Sequence, residues 1–430
     1  MKKNFRHALI VAAIWVGCTP LASCSGGDDP VAPVTITVTG PNAVSAWNET
    51  GTATINAAAT PGTGSAAEQR PSIALDLATM HLAIYDALMA IVATHKPYAV
   101  TPSSDASGAS QEAAVHAAAY GVLQGLYPNR GALYQAAYNT AVAALPVGDA
   151  KAKGLALGAE VAQRLLALRG DDGRSVVLPA YLPGTAPGQF RGTSPINRQG
   201  PFIKPLALTS AAQFHAAPPP ALDSAAYAAD FNETRTLGSA TSTTRTDAQL
   251  DAARFHTEPP PRFWPRNLRN FAMTDRSLAE HARLMAMVFT AEADSEIACF
   301  ESKYFYQAWR PFSAITLADT DGNAATDVDA AWAPVVTTPN HPEYPAAHSC
   351  VSGAVSEALK AYYRTGDISF KFDSTITSTT HSYATTQALI DDVQVGRIAG
   401  GMHFRFSTMA GATLGANVGK WVAANYFQPR

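Results

Sequence analysis

Charge is scarce in this sequence. Asp, Glu, Lys and Arg make up 15% of the 430 residues, against roughly 25% in an average soluble protein. Neither sign dominates: 31 basic and 34 acidic side chains leave a net charge of −3, which excludes the basic field that nucleic-acid binding requires. Long apolar runs are also missing. The longest, residues 8–17, falls short of the roughly 20 residues that span a bilayer, so a polytopic membrane protein is excluded. No internal repeat of about 20–50 residues is present, which excludes a solenoid. Hydrophobic residues reach 47%, enough apolar surface to offset ordering entropy, so the chain is not disordered. A large, near-neutral globular protein remains.

Lys2, Lys3 and Arg6 precede the apolar stretch 8–17, the layout of a secretory signal peptide. Leu21-Ala22-Ser23-Cys24, followed by Ser25, Gly26 and Gly27, resembles the bacterial lipobox. Residues 1–23 are then a lipoprotein signal peptide, Cys24 takes the lipid, and 24–45, rich in Gly, Asp, Pro and Val, tether it to a single domain over 46–430. Val16-Gly17-Cys18 is a weaker rival site, and an ordinary secretory signal with an incidental cysteine is the plainer alternative. The expectation is an exported protein held by its lipid anchor alone, at the outer membrane or on the cell surface or periplasmic side. Only Cys299 and Cys350 are left to pair in an oxidising compartment; they either do so or stay as two buried thiols.

Helical periodicity dominates the rest. Ile73, Leu77, Met80, Ile84, Leu88 and Ile91 recur at three- and four-residue spacing, which predicts an amphipathic helix over 73–93. Further helices are predicted over 110–126, 131–144, 149–168, 277–309, from just after Pro345 to about 363, 383–398 and 403–426. Residues 170–270, with Pro218-Pro219-Pro220 and Pro259-Pro260-Pro261, predict long ordered loops and short helices. Convincing alternation of the strand type is confined to 34–38. The fold class is all-α, with long ordered loops.

Three short segments concentrate unusual polar residues. In Lys303-Tyr304-Phe305-Tyr306-Gln307-Ala308-Trp309-Arg310-Pro311 the two cations are seven residues apart, which on one helix places them on one face about 10 Å apart, with Pro311 ending it. Taken alone they read first as snorkelling surface cations. In His341-Pro342-Glu343-Tyr344-Pro345-Ala346-Ala347-His348-Ser349, Pro345 sits where a helix would begin, so the following N–H groups are free to face an anion and His348 stands in the first turn. A capping or core histidine is the plain alternative. In Gly396-Arg397-Ile398-Ala399-Gly400-Gly401-Met402-His403-Phe404-Arg405, Gly400-Gly401 breaks the helix and lets Arg397 and His403 turn to one point, unless the pair serves only close packing. Together the segments supply three cations and two histidines, the set a tetrahedral oxyanion needs. A zinc site fits poorly, lacking His-Glu-x-x-His and Cys-x-x-Cys.

This pattern, K-x6-R-P, then P-x-x-H, then R-x5-H, resembles the signature shared by vanadium-dependent haloperoxidases and type 2 phosphatidic-acid phosphatases. Trp47-Asn48, His81-Leu82-Ala83-Ile84-Tyr85-Asp86 and Trp309-Arg310-Pro311 add to the likeness, which is closest to the soluble bacterial haloperoxidase branch. The resemblance implies two four-helix bundles with the oxyanion site inside 294–410. It implies vanadate as cofactor, with phosphate able to occupy the same site. His403 would bind vanadium; Lys303, Arg310, Arg397 and the backbone at Ala347 would hold its oxygens; His348 would be the acid/base. Phe300 and His341 would line the halide pocket, favouring bromide or iodide over chloride. Hydrogen peroxide and halide would be the substrates, with an organic acceptor downstream. Four positions depart from the family pattern: Ala346 replaces a serine, Ala347 a glycine, Gly396 a serine, and Ser407 the aspartate that usually orients the apical histidine. Two other readings use the same residues. One is an acid phosphatase with His403 as nucleophile, and the other a surface lipoprotein that keeps the fold without turnover.

Two smaller signals remain. Asp319-Thr320-Asp321-Gly322-Asn323 with Asp327 and Asp329 reads as a polar turn rather than a calcium loop, because the glycine is misplaced. Asp294 pairs with a site cation or is a solvated charge.

Overall fold

The computed structural model describes residues 31–59, 73–258 and 260–430. The expected signal peptide and lipidation site at Cys24 lie outside the described residues. Thirteen α-helices are present among the described residues: α1 (Ala43–Ala59), α2 (Ile73–Val92), α3 (Gln111–Leu126), α4 (Gly131–Ala144), α5 (Asp149–Leu168), α6 (Ala225–Leu237), α7 (Asp247–Phe255), α8 (Pro260–Leu268), α9 (Leu278–Tyr306), α10 (Pro311–Thr316), α11 (Ala347–Tyr363), α12 (Thr386–Ala399) and α13 (Arg405–Asn425). The short strands β1 (Val34–Thr35), β2 (Ile368–Ser374) and β3 (Thr379–Tyr383) form one sheet in that order.

The helices fall into two groups joined by the contact of α2 with α9. In the first, α2, α3 and α5 pack on one another, with α1 and α4 alongside; in the second, α9, α11 and α13 do so, with α12 against α11. The tightest pairs are α3 with α5 and α11 with α13, and small residues explain both. A Cβ at Gly154 or Gly158 would run into the carbonyls of Ser110 and Ala114, and one at Gly411, Gly415 or Gly419 into those of Ala346, Cys350 and Ala354. Without side chains at these points the backbones approach closely and the flanking apolar residues interdigitate.

Several helix ends follow from sequence. Ser277 caps α9 in a capping box with Glu280, and Thr246 does the same for α7 with Gln249. The prediction for 73–93 needs correction in one respect. The helix is there, but α2 is buried from Ala74 to Met89 with no polar face. Asp76, Thr79, His81 and Asp86 point inward like its leucines, so α2 is a central helix. It is long and apolar enough to cross a membrane, yet its surface is spent on the core.

Two strand assignments also change. Ile368–Ser374 alternates in burial, with Ile368, Phe370 and Phe372 inward, and pairs antiparallel with Thr379–Tyr383, where no strand was expected. The strand signal at 34–38 is real, but β1 is parallel to β2 through Val34 and Ile368. Thr39 donates from its N–H to the Met273 carbonyl, and the Asn42 side chain reaches Ala272 and His281. Residues 34–45, assigned to the tether on composition, are therefore fastened to the domain.

Candidate anion site between α9, α11 and α12

The chain brings the three polar segments to one place, though not all by the expected route. Helix α9 ends at Tyr306, because Gln307 turns left-handed at φ 47°. Arg310 lies beyond that turn in extended backbone, and Pro311 opens α10 rather than closing α9. Lys303 and Arg310 thus meet through a bend in the chain, and the one-face helical spacing is overturned. The second convergence is as expected. Helix α12 stops at Ala399, Gly401 adopts φ 74°, and the N–H groups of Met402 and His403 return to the Arg397 carbonyl at 3.1 and 3.3 Å. Gly401 is also pressed against Gly238, leaving no room for a side chain.

All three cations are buried, and they differ in what they touch. Lys303 Nζ donates to the carbonyls of Pro342 and Glu343, both at 2.9 Å. Arg310 donates to the carbonyls of His341 and Met402, to the His341 ring and, at 3.0 Å, to His403 Nε2. Arg397 donates once, from Nη1 to the His256 carbonyl at 3.2 Å, while its Nε and Nη2 are buried with no protein partner. Burial and the neighbouring Arg310 depress the Lys303 ammonium well below the usual lysine range, and burial with Arg310 lowers the Arg397 guanidinium to about 9. An excess of buried positive charge with unspent N–H groups is a site waiting for an anion.

Sequence reasoning missed Glu343. Its Oε1 accepts from His403 Nδ1 at 2.9 Å and from the Phe404 N–H at 3.1 Å. His403 therefore has an orienting carboxylate supplied from 60 residues upstream, and the Ser407 hydroxyl stands 3.4 Å from the same ring nitrogen. A proton on Nδ1 leaves Nε2 with its lone pair, the tautomer that Arg310 also requires. Burial raises the Glu343 carboxyl to about 7 against the pull of Arg310 and Lys303. The available signal was a lone carboxylate in the proline-rich stretch His341-Pro342-Glu343-Tyr344-Pro345.

Helix α11 begins at Ala347 with no side chain capping it, so the N–H groups of Ala347, His348 and Ser349 are left to an external acceptor. His348 keeps some accessible surface in the first turn of α11. Burial, Arg397, His256, Lys303 and Arg310 push its imidazole well below the ordinary range, and burial with the same three cations does so for His403. Both rings are neutral without an anion. Phe300 and His341 lie together, ring centres 5.1 Å apart, and both are buried. Cys299 on α9 and Cys350 on α11 form a disulfide, which ties the helix of Lys303 to the helix of His348.

Asp294 does neither of the things expected of it. Its carboxylate accepts the consecutive N–H groups of Leu206, Ala207 and Leu208 at 2.6–2.9 Å, holding a loop across α9. Asp321 accepts from the Asn323 N–H and the Thr326 hydroxyl, the polar turn predicted. Among the described residues no cluster of three or more His, Cys, Asp or Glu side chains is arranged to hold a metal ion.

Residues 283–429 match the model of the VCPO second helical-bundle domain. A vanadium chloroperoxidase from Curvularia inaequalis is 30% identical over 124 residues, and the match spans about a fifth of that protein, 20% of its length. Over these residues the chain is similar to the vanadium haloperoxidases. A crystal structure described as the first bacterial vanadium-dependent iodoperoxidase superposes with a TM-score of 0.73 at 22% identity, covering 91% of this chain and 99% of that one. A holo-type bacterial vanadium-dependent chloroperoxidase superposes at 0.62 with 15% identity, covering 82% and 90%. The haloperoxidase helical-bundle fold expected from the motif is thereby established.

Proposed function

We propose that this haloperoxidase relative oxidises halide with hydrogen peroxide, using vanadate held between α9, α11 and α12. The observation that carries the reading is the Arg397 guanidinium, buried with two unspent nitrogens beside two further buried cations. The donor set fits a tetrahedral oxyanion: Lys303, Arg310, Arg397 and the open N-terminus of α11 would hold its oxygens, and His403 Nε2 would hold the metal. Bound vanadate supplies a Lewis acid that activates peroxide toward halide without changing its own oxidation state.

The protein's share is proton handling and placement. His348 is neutral before the anion arrives, so it starts as a base able to take a proton from incoming peroxide. Negative charge delivered to the site offsets Arg397 and Lys303 and raises the affinity of His348 for that proton, which it then returns to the departing water. Glu343 keeps the His403 ring in one orientation throughout. Halide plus peroxide plus one proton gives hypohalous acid plus water, so the cycle consumes one proton. Bromide or iodide is the favoured halide. The buried pair of Phe300 and His341 would line its approach, and both ions give up electrons more readily than chloride. An exported, lipid-anchored location fits the same reading, and the Cys299–Cys350 disulfide supports an oxidising compartment.

The test is bromide and iodide oxidation by protein lacking residues 1–24, stripped of vanadate and then reconstituted, beside a His403→Ala control and a phosphoester hydrolysis assay. Turnover that needs both vanadate and His403 is expected. Phosphoester hydrolysis without halide oxidation would move the function to an acid phosphatase, and anion binding with neither activity would make the protein a binder.

A further inference from the structure

Arg397 is the least secured of the three cations, and its single protein contact leads away from the site into a second cluster of ionisable side chains. The contact is the His256 carbonyl. His256 is the C-cap of α7, so its carbonyl lies at the negative end of that helix. The buried His256 ring points the other way and shares a hydrogen from Nε2 with Asp392 Oδ2 at 3.0 Å. Asp392 sits on α12 one turn before Gly396. The same carboxylate oxygen accepts from His381 Nδ1 and from the Tyr383 hydroxyl, both at 2.8 Å. His381, on β3, turns its other nitrogen to Asp251 Oδ2 of α7 at 2.7 Å and stacks on Phe255 at 3.7 Å.

The loss of serine at Gly396 gains a cause here. A Cβ at this position would stand 2.7 Å from the Ala252 carbonyl and 3.2 Å from His256 Cδ2. Glycine lets the end of α7 close on α12 and bring the His256 carbonyl to Arg397. This chain gives up a hydroxyl beside the arginine and receives the end of a helix in exchange.

We propose that Asp392 and His256 are positioning residues for the anion site: the Asp392 carboxylate fixes the His256 ring, and the His256 carbonyl fixes the guanidinium of Arg397. The inference rests on the oxyanion reading of the site. Asp392 touches neither anion nor substrate; it acts through Arg397, so its removal shifts anion affinity rather than turnover. Changing such an outer partner typically costs about 10- to 100-fold in affinity.

The experiment measures inorganic phosphate and vanadate binding by calorimetry for the wild type, Arg397→Ala, Asp392→Asn and Asp251→Asn, with melting curves for each. Wild-type binding that disappears in Arg397→Ala is expected; absence of wild-type binding would overturn the oxyanion reading itself. Asp392→Asn is expected to bind about 10- to 100-fold more weakly, with turnover at saturating vanadate within about threefold of wild type. A defect in folding alone would lower the active fraction and leave affinity unchanged. Asp251→Asn, at the exposed end of the chain, is expected to shift affinity in the same direction by less, and it decides the matter if Asp392→Asn does not fold. Binding within twofold of wild type in the folded variants, with the wild type binding normally, would overturn the inference alone.

Discussion

In the first half of the molecule α3 and α5 meet through Gly154 and Gly158; in the second, α11 and α13 meet through Gly411, Gly415 and Gly419. Each half also has a buried aspartate on its central helix that accepts three consecutive N–H groups: Asp86 from Tyr98, Ala99 and Val100, and Asp294 from Leu206, Ala207 and Leu208. The halves part company over positive charge. Arg174, packed against the first, is held by Asp76 and by both oxygens of Asp172. In the second, Lys303 and Arg310 share one nearby carboxyl, Glu343, which burial itself pushes toward neutrality, and Arg397 hydrogen-bonds to no carboxylate. One half has matched its half-buried arginine internally. The other has left that matching to a ligand, which separates a structural charge from a functional one.

Identical substitutions in the two halves should therefore have opposite signs. Arg174→Met removes the guanidinium that Asp76 and Asp172 share, leaving Asp76 the Tyr127 hydroxyl and Asp172 the Arg169 guanidinium, and should destabilise the protein by up to about 3–5 kcal/mol, leaving phosphate or vanadate affinity unchanged. Arg397→Met removes an unmatched buried charge and should stabilise the anion-free protein by about 1–4 kcal/mol while abolishing binding. Denaturant melts beside anion titrations check both, and destabilisation by Arg397→Met in the anion-free state would break the comparison. The Cys299–Cys350 bridge, spanning 51 residues in the second half, should contribute up to about 4 kcal/mol through chain entropy. Replacing both cysteines by serine should lower stability by that order and speed hydrogen exchange in α11 before α3. Where the halves are built alike, the effects should match: Gly158→Ala and Gly415→Ala should each cost about 1–3 kcal/mol by overpacking. Only Gly415→Ala, which displaces α11 and its open N-terminus, should also weaken phosphate binding.

The helices that carry the second half were legible because their signals are local. The α11 boundaries and the Gly400-Gly401 break depend on residues within a few positions of one another, and the spacing of Lys303, Arg310, His348, Arg397 and His403 is a pattern along the chain. What escaped notice is long-range. Glu343 reaches His403 across 60 residues, Asp294 reaches Leu206 across 88, and His256 reaches Asp392 across 136. No periodicity records such pairings. The expectation that α2 would be amphipathic failed for a related reason: Asp76, His81 and Asp86 make their hydrogen bonds inside the core, so no polar face remains. The hairpin of β2 and β3 was overlooked although Ile368, Phe370 and Phe372 alternate, because the surrounding sequence is so strongly helical.

The smallest contrast lies between two kinds of buried carboxyl. Asp86 has three N–H donors and is raised only to about 6. Glu292, on α9, has one oxygen without a partner and lies one turn from Glu296, which is itself pushed up to about 7 by burial; burial and Glu296 hold Glu292 well above the carboxylate range. A carboxyl whose value is raised in the folded state takes up a proton on folding. Its contribution to stability is complete below the ordinary carboxylate range and is lost as pH rises toward the raised value. Glutamine copies the neutral acid and does not titrate. Glu292→Gln should therefore match the wild type near pH 4 and gain on it by about 1.4 kcal/mol per pH unit above that, until the folded carboxyl ionises. Asp86→Asn should instead destabilise at every pH, since an amide oxygen cannot replace two carboxylate oxygens facing three donors. Urea melts at pH 4, 5.5 and 7 distinguish the two. A pH-independent gap between Glu292→Gln and the wild type would mean that Glu292 is ionised in the fold, with a cation bound beside it to hold it so.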